Sequence, residues 1–356
     1  MNILIDDNIV LLKETLINDF NVITYNGGEL TSEFLRETNA QILFVRSTTK
    51  CNETLLKNTK VRFIGTATAG TDNLDIEFIE KNEIKWTNAA GSNSISVAEY
   101  VTLSIQLWCL ENLKDISNLT LGIVGYGNIG SKVGKLFEKF CKNILVYDPY
   151  INEIKNTNVS MYEYDNLLKE SDIITFHTPL VKEGEYPTYK MLNDKNLGLI
   201  NRNSLLINAS RGGVIDEHSI KTSKINPNNL IFDVFENEPK IDPQFAKDLF
   251  ISTPHIAGHS YEGKLKGTLN MIKELENYLG IIIDKTLIIE ELNKESKVNI
   301  NQIKYFDLFN LLKEKIGIEE TSNRFKESLE YFDSNKFKKF RKEYPKHNES
   351  LSDESF

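Results

Sequence analysis

Leu121-Gly122-Ile123-Val124-Gly125-Tyr126-Gly127-Asn128-Ile129-Gly130 is an apolar run that stops at a glycine cluster, and its reading decides the fold. The spacing is G-x-G-x-x-G, that of a strand entering a phosphate-binding turn. Gly125 makes the tight turn, Gly127 lets a pyrophosphate approach, and Gly130 packs helix against strand. Beyond them Ile129, Val133, Leu136, Phe137 and Phe140 recur at three- and four-residue steps, the mark of one buried helix face. The N–H groups around Asn128 and Ile129 then stand at a helix N-terminus, where orphan donors and the helix dipole favour a phosphate.

Moving outward, Asn143-Ile144-Leu145-Val146-Tyr147 reads as a second strand ending at Asp148, where a carboxylate meets an adenosine ribose. An acid there repels a 2′-phosphate, so NAD is expected rather than NADP. Pro149 follows Asp148, and a turn-forming role also accounts for the acid taken alone. The order strand, glycine turn, helix, strand, acid is what favours a dinucleotide site.

Upstream, from Met1 to about Asn93, the runs Ile3 to Ile5, Ile42 to Val45, Val61 to Ala67 and Lys85 to Asn88 alternate with helical patterns. That alternation implies a parallel sheet. Two strand ends carry small polar clusters, Val45-Arg46-Ser47-Thr48-Thr49-Lys50 and Gly65-Thr66-Ala67-Thr68-Ala69-Gly70-Thr71-Asp72. Ligands of open α/β sheets bind just beyond such ends, although ordinary loop polarity explains both clusters as well. Residues 96–112 read as a long buried helix crossing between two lobes, with the boundary near Asn93.

Downstream, four more strand-like runs end in polar residues: at His177-Thr178-Pro179, at Ser210-Arg211-Gly212-Gly213, at Asp233, and at Ser252-Thr253-Pro254-His255. Residues 264–280 are helical by period and are expected to pack back on the first lobe. The expected fold is therefore α/β, with two Rossmann-like doubly wound parallel-sheet domains. The first is a flavodoxin-like substrate lobe, 1–93 completed by 261–283; the second is an NAD-binding lobe, 94–260. Residues 284–347 change character, being rich in Lys, Glu, Asn and Phe, and 348–356 read as a disordered polar tail.

Forty per cent of the 356 residues are hydrophobic and 26% charged, a globular composition. The formal net charge of −9 argues against nucleic-acid binding, which needs an excess of Lys and Arg on one face. Cys51, Cys109 and Cys141 have no paired or metal-type spacing and suggest reduced thiols of the cytosol. Residues 1–7 look like a first strand rather than a leader, and no apolar run approaches the roughly 20 residues of a membrane span. A cytoplasmic protein with neither membrane partner nor metal is expected.

Arg211, Glu238 and His255 stand at or just after three strand ends and would converge if those strands share a sheet. Oxidising a secondary alcohol needs a base for the hydroxyl proton while a hydride leaves the carbon, and His has the chemistry for it near neutral pH. Glu238 would stabilise the imidazolium, and Arg211 could hold a substrate carboxylate by bidentate hydrogen bonds. Taken singly, each has a plainer reading: His255 as a packing residue after Pro254, Arg211 as a structural ion pair, Glu238 as a turn acid before Pro239. His177 reads as packing beside the cofactor pocket, and His218 and His347 as exposed.

The glycine fingerprint, Asn208-Ala209-Ser210-Arg211-Gly212, Asp233-Val234-Phe235-Glu236-Asn237-Glu238-Pro239 and Thr253-Pro254-His255-Ile256-Ala257-Gly258 together resemble the D-isomer-specific 2-hydroxyacid dehydrogenases. The two polar clusters and His259-Ser260-Tyr261-Glu262-Gly263-Lys264 are similar to one branch of that family, which takes a small phosphorylated 2-hydroxy acid. The resemblance implies hydride transfer to NAD in a cytoplasmic homodimer, with 284–347 as a C-terminal dimerisation region. It implies His255 as acid/base, Glu238 as its partner and Arg211 as clamp. NAD contacts fall at Gly125, Gly127, Asn128, Ile129, Gly130, Asp148, Thr178, Ala209, Ser210, Arg211, Asp233 and Gly258. Substrate contacts fall at Ser47, Thr68 and His259, the last replacing the branch's usual Tyr. Arg46, and Arg341 from the tail, are expected to supply positive charge for a phosphate. Other members acting on glycerate or 3-phosphoglycerate, and a non-catalytic NAD-sensing scaffold, are the alternatives.

Overall fold

A computed structural model describes residues 1–154 and 158–356. The chain forms two compact units, residues 1–93 with 260–296, and residues 94–259 with 297–356.

In the first unit, β1 (Asn2–Asp6), β2 (Asn21–Tyr25), β3 (Ile42–Val45), β4 (Phe63–Thr66) and β5 (Lys85–Asn88) make a parallel sheet of order β2-β1-β3-β4-β5. Successive strand side chains point to opposite faces, and the apolar residues sort accordingly. Ile3, Ile5, Ile42, Phe44 and Phe63 meet Leu265, Met271, Ile272 and Leu275 of helix Tyr261–Leu279. Leu4, Leu43, Val45 and Ile64 meet Leu35, Leu55, Leu56 and Ile79 on the other face. The helix Tyr261–Leu279 begins where Ser260 Oγ accepts the Gly263 N–H at 3.0 Å and ends at Gly280, φ +68°. Each fully buried Leu or Ile contributes about 1.5–3 kcal/mol.

In the second unit, β6 (Thr120–Val124), β7 (Asn143–Tyr147), β8 (Val159–Met161), β9 (Ile173–Phe176), β10 (Leu205–Asn208), β11 (Leu230–Phe232) and β12 (Ile251–Ser252) run parallel in the order β12-β11-β10-β9-β6-β7-β8. The glycine-rich turn follows the interior strand β6, at the point where the order reverses. Helix Ser94–Glu111 belongs to this unit and is buried from Ser94 to Cys109, with Val101, Ile105 and Trp108 in the core that covers one face of the sheet. No helix among the described residues is long and apolar enough to cross a membrane.

The C-terminal part differs from the expected separate region. Helix Thr286–Leu292 joins the first unit through buried Ile288. Helices Tyr305–Ile316, Ile318–Ser328 and Ser334–Glu343 pack on the second unit: Leu308, Leu312 and Ile316 enter the core on one face, Phe325 and Phe337 that on the other. Residues 348–356, expected to be a disordered tail, are built into the fold, with Glu349, Ser350, Leu351 and Ser355 buried and Leu351 bridged to Val298. Their polar composition hid specific partners, among them a carboxylate on helix Ser94–Glu111 that accepts the Ser350 and Leu351 N–H groups.

Candidate active site

The glycine-rich turn is shaped by close approach. Gly125 has φ +90°, and a Cβ there would stand 2.8 Å from the His177 carbonyl oxygen. A Cβ on Gly130 would overlap the Gly125 carbonyl, whereas Gly127 has open space around it. Helix Gly130–Phe137 starts directly after the turn. Among the described residues, the N–H groups of Gly127, Asn128 and Ile129 have no protein acceptor. Three unclaimed donors at a helix start, beside a glycine with room above it, fit a pyrophosphate. Thr178 lies against Gly125 with its hydroxyl buried and unpaired, and Ala209 and Ser210 are buried at the end of β10.

Asp148 braces this turn. Its carboxylate accepts the Tyr126 N–H at 2.8 Å and the Tyr150 N–H at 3.0 Å. Each oxygen keeps capacity for a further donor, as a ribose hydroxyl would require.

The residues predicted to do chemistry come from the carboxyl ends of three neighbouring strands, β10, β11 and β12. Arg211 follows β10 in a turn closed by Asn208, whose side chain accepts the Ser210 N–H and hydroxyl and donates to the Arg211 carbonyl. Gly212 has no room for a side chain, since a Cβ would overlap the Phe235 carbonyl. That contact presses the turn after β10 against the one after β11.

Glu238 and His255 meet directly, Oε2 to Nδ1, at 2.7 Å. The other oxygen, Oε1, accepts the Phe235 N–H at 2.9 Å, which fixes the carboxylate plane. Burial works to raise the Glu238 carboxyl, but the His255 charge and hydrogen bond, the Phe235 N–H and the Arg341 charge outweigh it and hold the group below the usual range. An anionic Glu238 on Nδ1 leaves Nε2 of His255 as the nitrogen for a substrate proton. His255 sits in the left-handed region, φ +59°, held by its N–H on the Asp233 carbonyl at 2.7 Å.

Asp233 organises the catalytic loop. Its Oδ1 accepts the Thr253 hydroxyl and the Ile256 N–H, each at 2.7 Å, and Oδ2 accepts the Ala257 N–H at 2.9 Å. Burial pushes its carboxyl up to about 6 against the opposing pull of His255 and these donors. These bonds support the His255 loop from behind.

Gly258 lies in the turn closed by the His259 N–H on the Ile256 carbonyl. The His259 ring stands 6.5 Å from Tyr344, and Tyr344 in turn stands 5.4 Å from His347. His347, expected to be exposed, is therefore half-buried in a row of rings; its neighbours at the helix end supply an aromatic partner that charge density in the sequence concealed. The charge of Arg341, on helix Ser334–Glu343, also helps hold the Glu238 carboxyl down. Burial lowers His177 to about 3, so its ring is neutral, with Nε2 against Thr175 Oγ1.

Arg46, Ser47 and Thr68 lie in the first unit, just beyond β3 and β4. Buried Asn73 ties their loops together, donating to the Arg46 and Thr49 carbonyls at 3.2 and 3.1 Å and sharing a bond with Thr66 Oγ1 at 3.3 Å. Thr68 Oγ1 donates to the Gly70 carbonyl at 2.7 Å. Among the described residues, the Ser47 and Thr48 N–H groups have no protein acceptor and their side chains are exposed. Sequence reasoning missed Asn73, Ser96 and Tyr100. For Ser96 and Tyr100 the available signal was their spacing of one helical turn within a helix buried nearly along its whole length; for Asn73, in a turn, there was none.

The sequence pattern described as D-isomer specific 2-hydroxyacid dehydrogenase, NAD binding domain, matches residues 106–257. The erythronate-4-phosphate dehydrogenase of Wigglesworthia glossinidia brevipalpis is 38% identical over 282 residues, 79% of this chain and 74% of its own length. That of Bacteroides thetaiotaomicron is 38% identical over 271 residues, 75% and 77% of the two chains. The chain belongs to the D-isomer specific 2-hydroxyacid dehydrogenases. Solved structures share this dehydrogenase fold. The D-lactate dehydrogenase of Aquifex aeolicus complexed with NAD and lactic acid is 24% identical, TM-score 0.64, over 79% of this chain and 96% of that one. The NAD-bound 3-phosphoglycerate dehydrogenase of Entamoeba histolytica is 25% identical, TM-score 0.65, over 78% and 95%. The cofactor of this 2-hydroxyacid dehydrogenase is NAD, and the glycine turn of the matched domain has the donors to hold it.

Proposed function

We propose that this dehydrogenase oxidises 4-phospho-D-erythronate to 2-oxo-3-hydroxy-4-phosphobutanoate with NAD, a step in making pyridoxal 5′-phosphate, as a cytoplasmic homodimer. The names of the relatives support the substrate, and the 2.7 Å His255–Glu238 pair within the matched NAD-binding domain carries the chemistry. When bound, NAD accepts the hydride released from C2 of the acid. His255 Nε2 takes the C2 hydroxyl proton, so that the C–H pair leaves as hydride while the C=O bond forms. Glu238 holds the imidazolium by charge and by its hydrogen bond. Arg211 takes the C1 carboxylate, where a planar fork gives orientation as well as charge.

For the phosphate, Arg46, the Ser47 side chain and the free N–H groups of Ser47 and Thr48 form an anion-binding set, with Thr68 and His259 as further substrate contacts. The test is NADH formation from 4-phospho-D-erythronate against D-glycerate and 3-phosphoglycerate, with a 2-oxo acid present to reoxidise retained cofactor. Preference for the first substrate, lost by about 10²–10⁴-fold in His255→Ala, is expected. Turnover of another acid alone would remove the pathway assignment and keep the dyad. Silence on all of them, with NAD-dependent capture of a protein, would favour the scaffold.

A further inference from the structure

Helix Ser94–Glu111 brings Ser96, Glu99 and Tyr100 to one face, since positions three and four apart lie above one another. Ser96 Oγ donates to the Ala257 carbonyl at 2.8 Å, and the Tyr100 hydroxyl shares a 2.6 Å bond with Thr253 Oγ1. Thr253 and Ala257 are the two ends of the loop that carries His255. One face of one helix therefore grips both ends of the catalytic loop.

Glu99 lies between those two grips, with no exposed surface. Its Oε1 accepts the N–H groups of Ser350 and Leu351 at 2.7 and 2.8 Å, while Oε2 is buried with no hydrogen-bond partner. The same C-terminal stretch is held from its other side by Val298, whose N–H donates to the Ser350 carbonyl at 2.9 Å and whose carbonyl accepts the Ser352 N–H at 3.1 Å. Lys297 Nζ donates to the Glu349 carbonyl. These residues stand outside 106–257, the stretch shared with the family pattern.

A fully buried carboxyl is tolerated only while hydrogen bonds meet it, and stripping a buried polar group of its partners exacts its full desolvation cost. Burial and then the neighbouring Glu349 push Glu99 up to about 8, opposed by the Leu351 and Ser350 N–H groups and by Lys297. With residues 349–351 displaced, Glu99 has no donor on either oxygen. The helix face must then admit water or shift, and Ser96 and Tyr100, within one residue position or one turn of it, move with it.

We propose that residues 349–351 dock on Glu99 as a positioning clamp for the His255 loop, so that turnover depends on the seated C-terminal segment. The clamp rests on the reading of His255 as the acid/base group. Glu99, Ser350 and Leu351 are positioning residues, acting through Ser96, Tyr100, Thr253 and Ala257.

The test compares three forms with the full chain: truncation after Asn348, Glu99→Leu, and the two combined. Truncation and Glu99→Leu are each expected to lower kcat about 10–100-fold, the scale of a small misplacement of a catalytic group. KM for NAD should stay within about twofold, and the combined variant should be no slower than the truncation alone, because the truncation already removes the contact that Glu99→Leu removes. Glu99→Gln, whose amide oxygen still accepts both N–H groups, should recover most of the rate. A folded truncation with unchanged kcat, or losses that multiply in the combined variant, would overturn the clamp. Should the truncated chain fail to fold, Glu99→Leu against Glu99→Gln in the full chain carries the same decision. Because every value is a ratio to the full chain, a full chain silent on all hydroxy acids breaks the functional reading, whereas an active full chain with an equally active truncation breaks only the clamp.

Discussion

Each unit braces the strand-end loops around its candidate chemistry with a buried polar side chain, Asn73 in one and Asp233 in the other, and the two work by opposite chemistry. In the first unit Asn73 donates, to the Arg46 and Thr49 carbonyls. In the second unit Asp233 accepts, from Thr253, Ile256 and Ala257. A side chain that occupies carbonyls leaves backbone N–H groups over, and those of Ser47 and Thr48 are the ones left. A side chain that occupies N–H groups leaves none for a ligand and instead fixes a side chain, here His255. The amide thus prepares a loop to bind an anion through its backbone, and the carboxylate prepares a loop to move a proton through an imidazole.

The largest effect that can break this contrast is Asp233→Ala. It leaves the Ile256 and Ala257 N–H groups unpaired and the Thr253 hydroxyl with Tyr100 alone, and kcat should fall at least about 10²-fold as the loop loosens. Steady-state rates beside circular dichroism on the folded variant check it; a kcat near that of the parent would deny Asp233 its task. Next comes the exchange Asn73→Asp, which sets a carboxylate against two carbonyl oxygens. Its effect should fall on KM for the phosphorylated acid, about tenfold, with kcat nearly kept, at the magnitude of one or two lost hydrogen bonds. A loss in kcat alone would mean that both loops serve the chemical step.

Acidity gives a third, smaller probe. Burial holds His177 at about 3 in the folded protein, far below an ordinary imidazole, so its contribution to stability is present above about 6.5 and drains away as pH falls toward 3. Asp233, held up at about 6, works the other way: its contribution is full below about 4 and is lost as pH rises through 6. Urea unfolding from pH 4 to 8 should therefore show His177→Gln flattening the acid side and Asp233→Asn flattening the slope around pH 5–6. Identical curves for parent and variants would contradict both assignments. The smallest effect is His259→Tyr, which exchanges one ring for another beside Tyr344 and should alter KM by about fivefold or less, a single hydrogen bond.

What the sequence made legible was whatever repeats over short distances. Ile3, Ile5 and Leu4, or Leu121 and Ile123 against Val124, alternate as a two-faced sheet demands, and the glycine spacing carries its own stereochemistry. His255, Glu238 and Arg211 were legible because strand ends in one parallel sheet bring distant residues to one edge. Asn73 and Glu99 were not, since their partners lie 24 and 27 residues away for Asn73, and 251 and 252 for Glu99, in no periodic pattern. The tail misled for a related reason: Asn348-Glu349-Ser350-Leu351 has the composition of a solvated segment, and only the buried carboxylate it meets makes it part of the core.

The first unit is assembled from two separated pieces of chain, and this matters during synthesis. All five of its strands leave the ribosome early, yet one face of that sheet is covered only by Ile9, Leu12 and Leu16 until Leu265, Met271, Ile272, Leu275 and Ile288 arrive. Close to 200 residues separate β5 from Ile288, roughly 10–40 s of elongation at 5–20 residues per second. During that interval Ile3, Ile5, Ile42 and Phe44 keep part of their apolar surface uncovered, the kind of exposure that holding chaperones shield, until the chain's own distant helix closes over it.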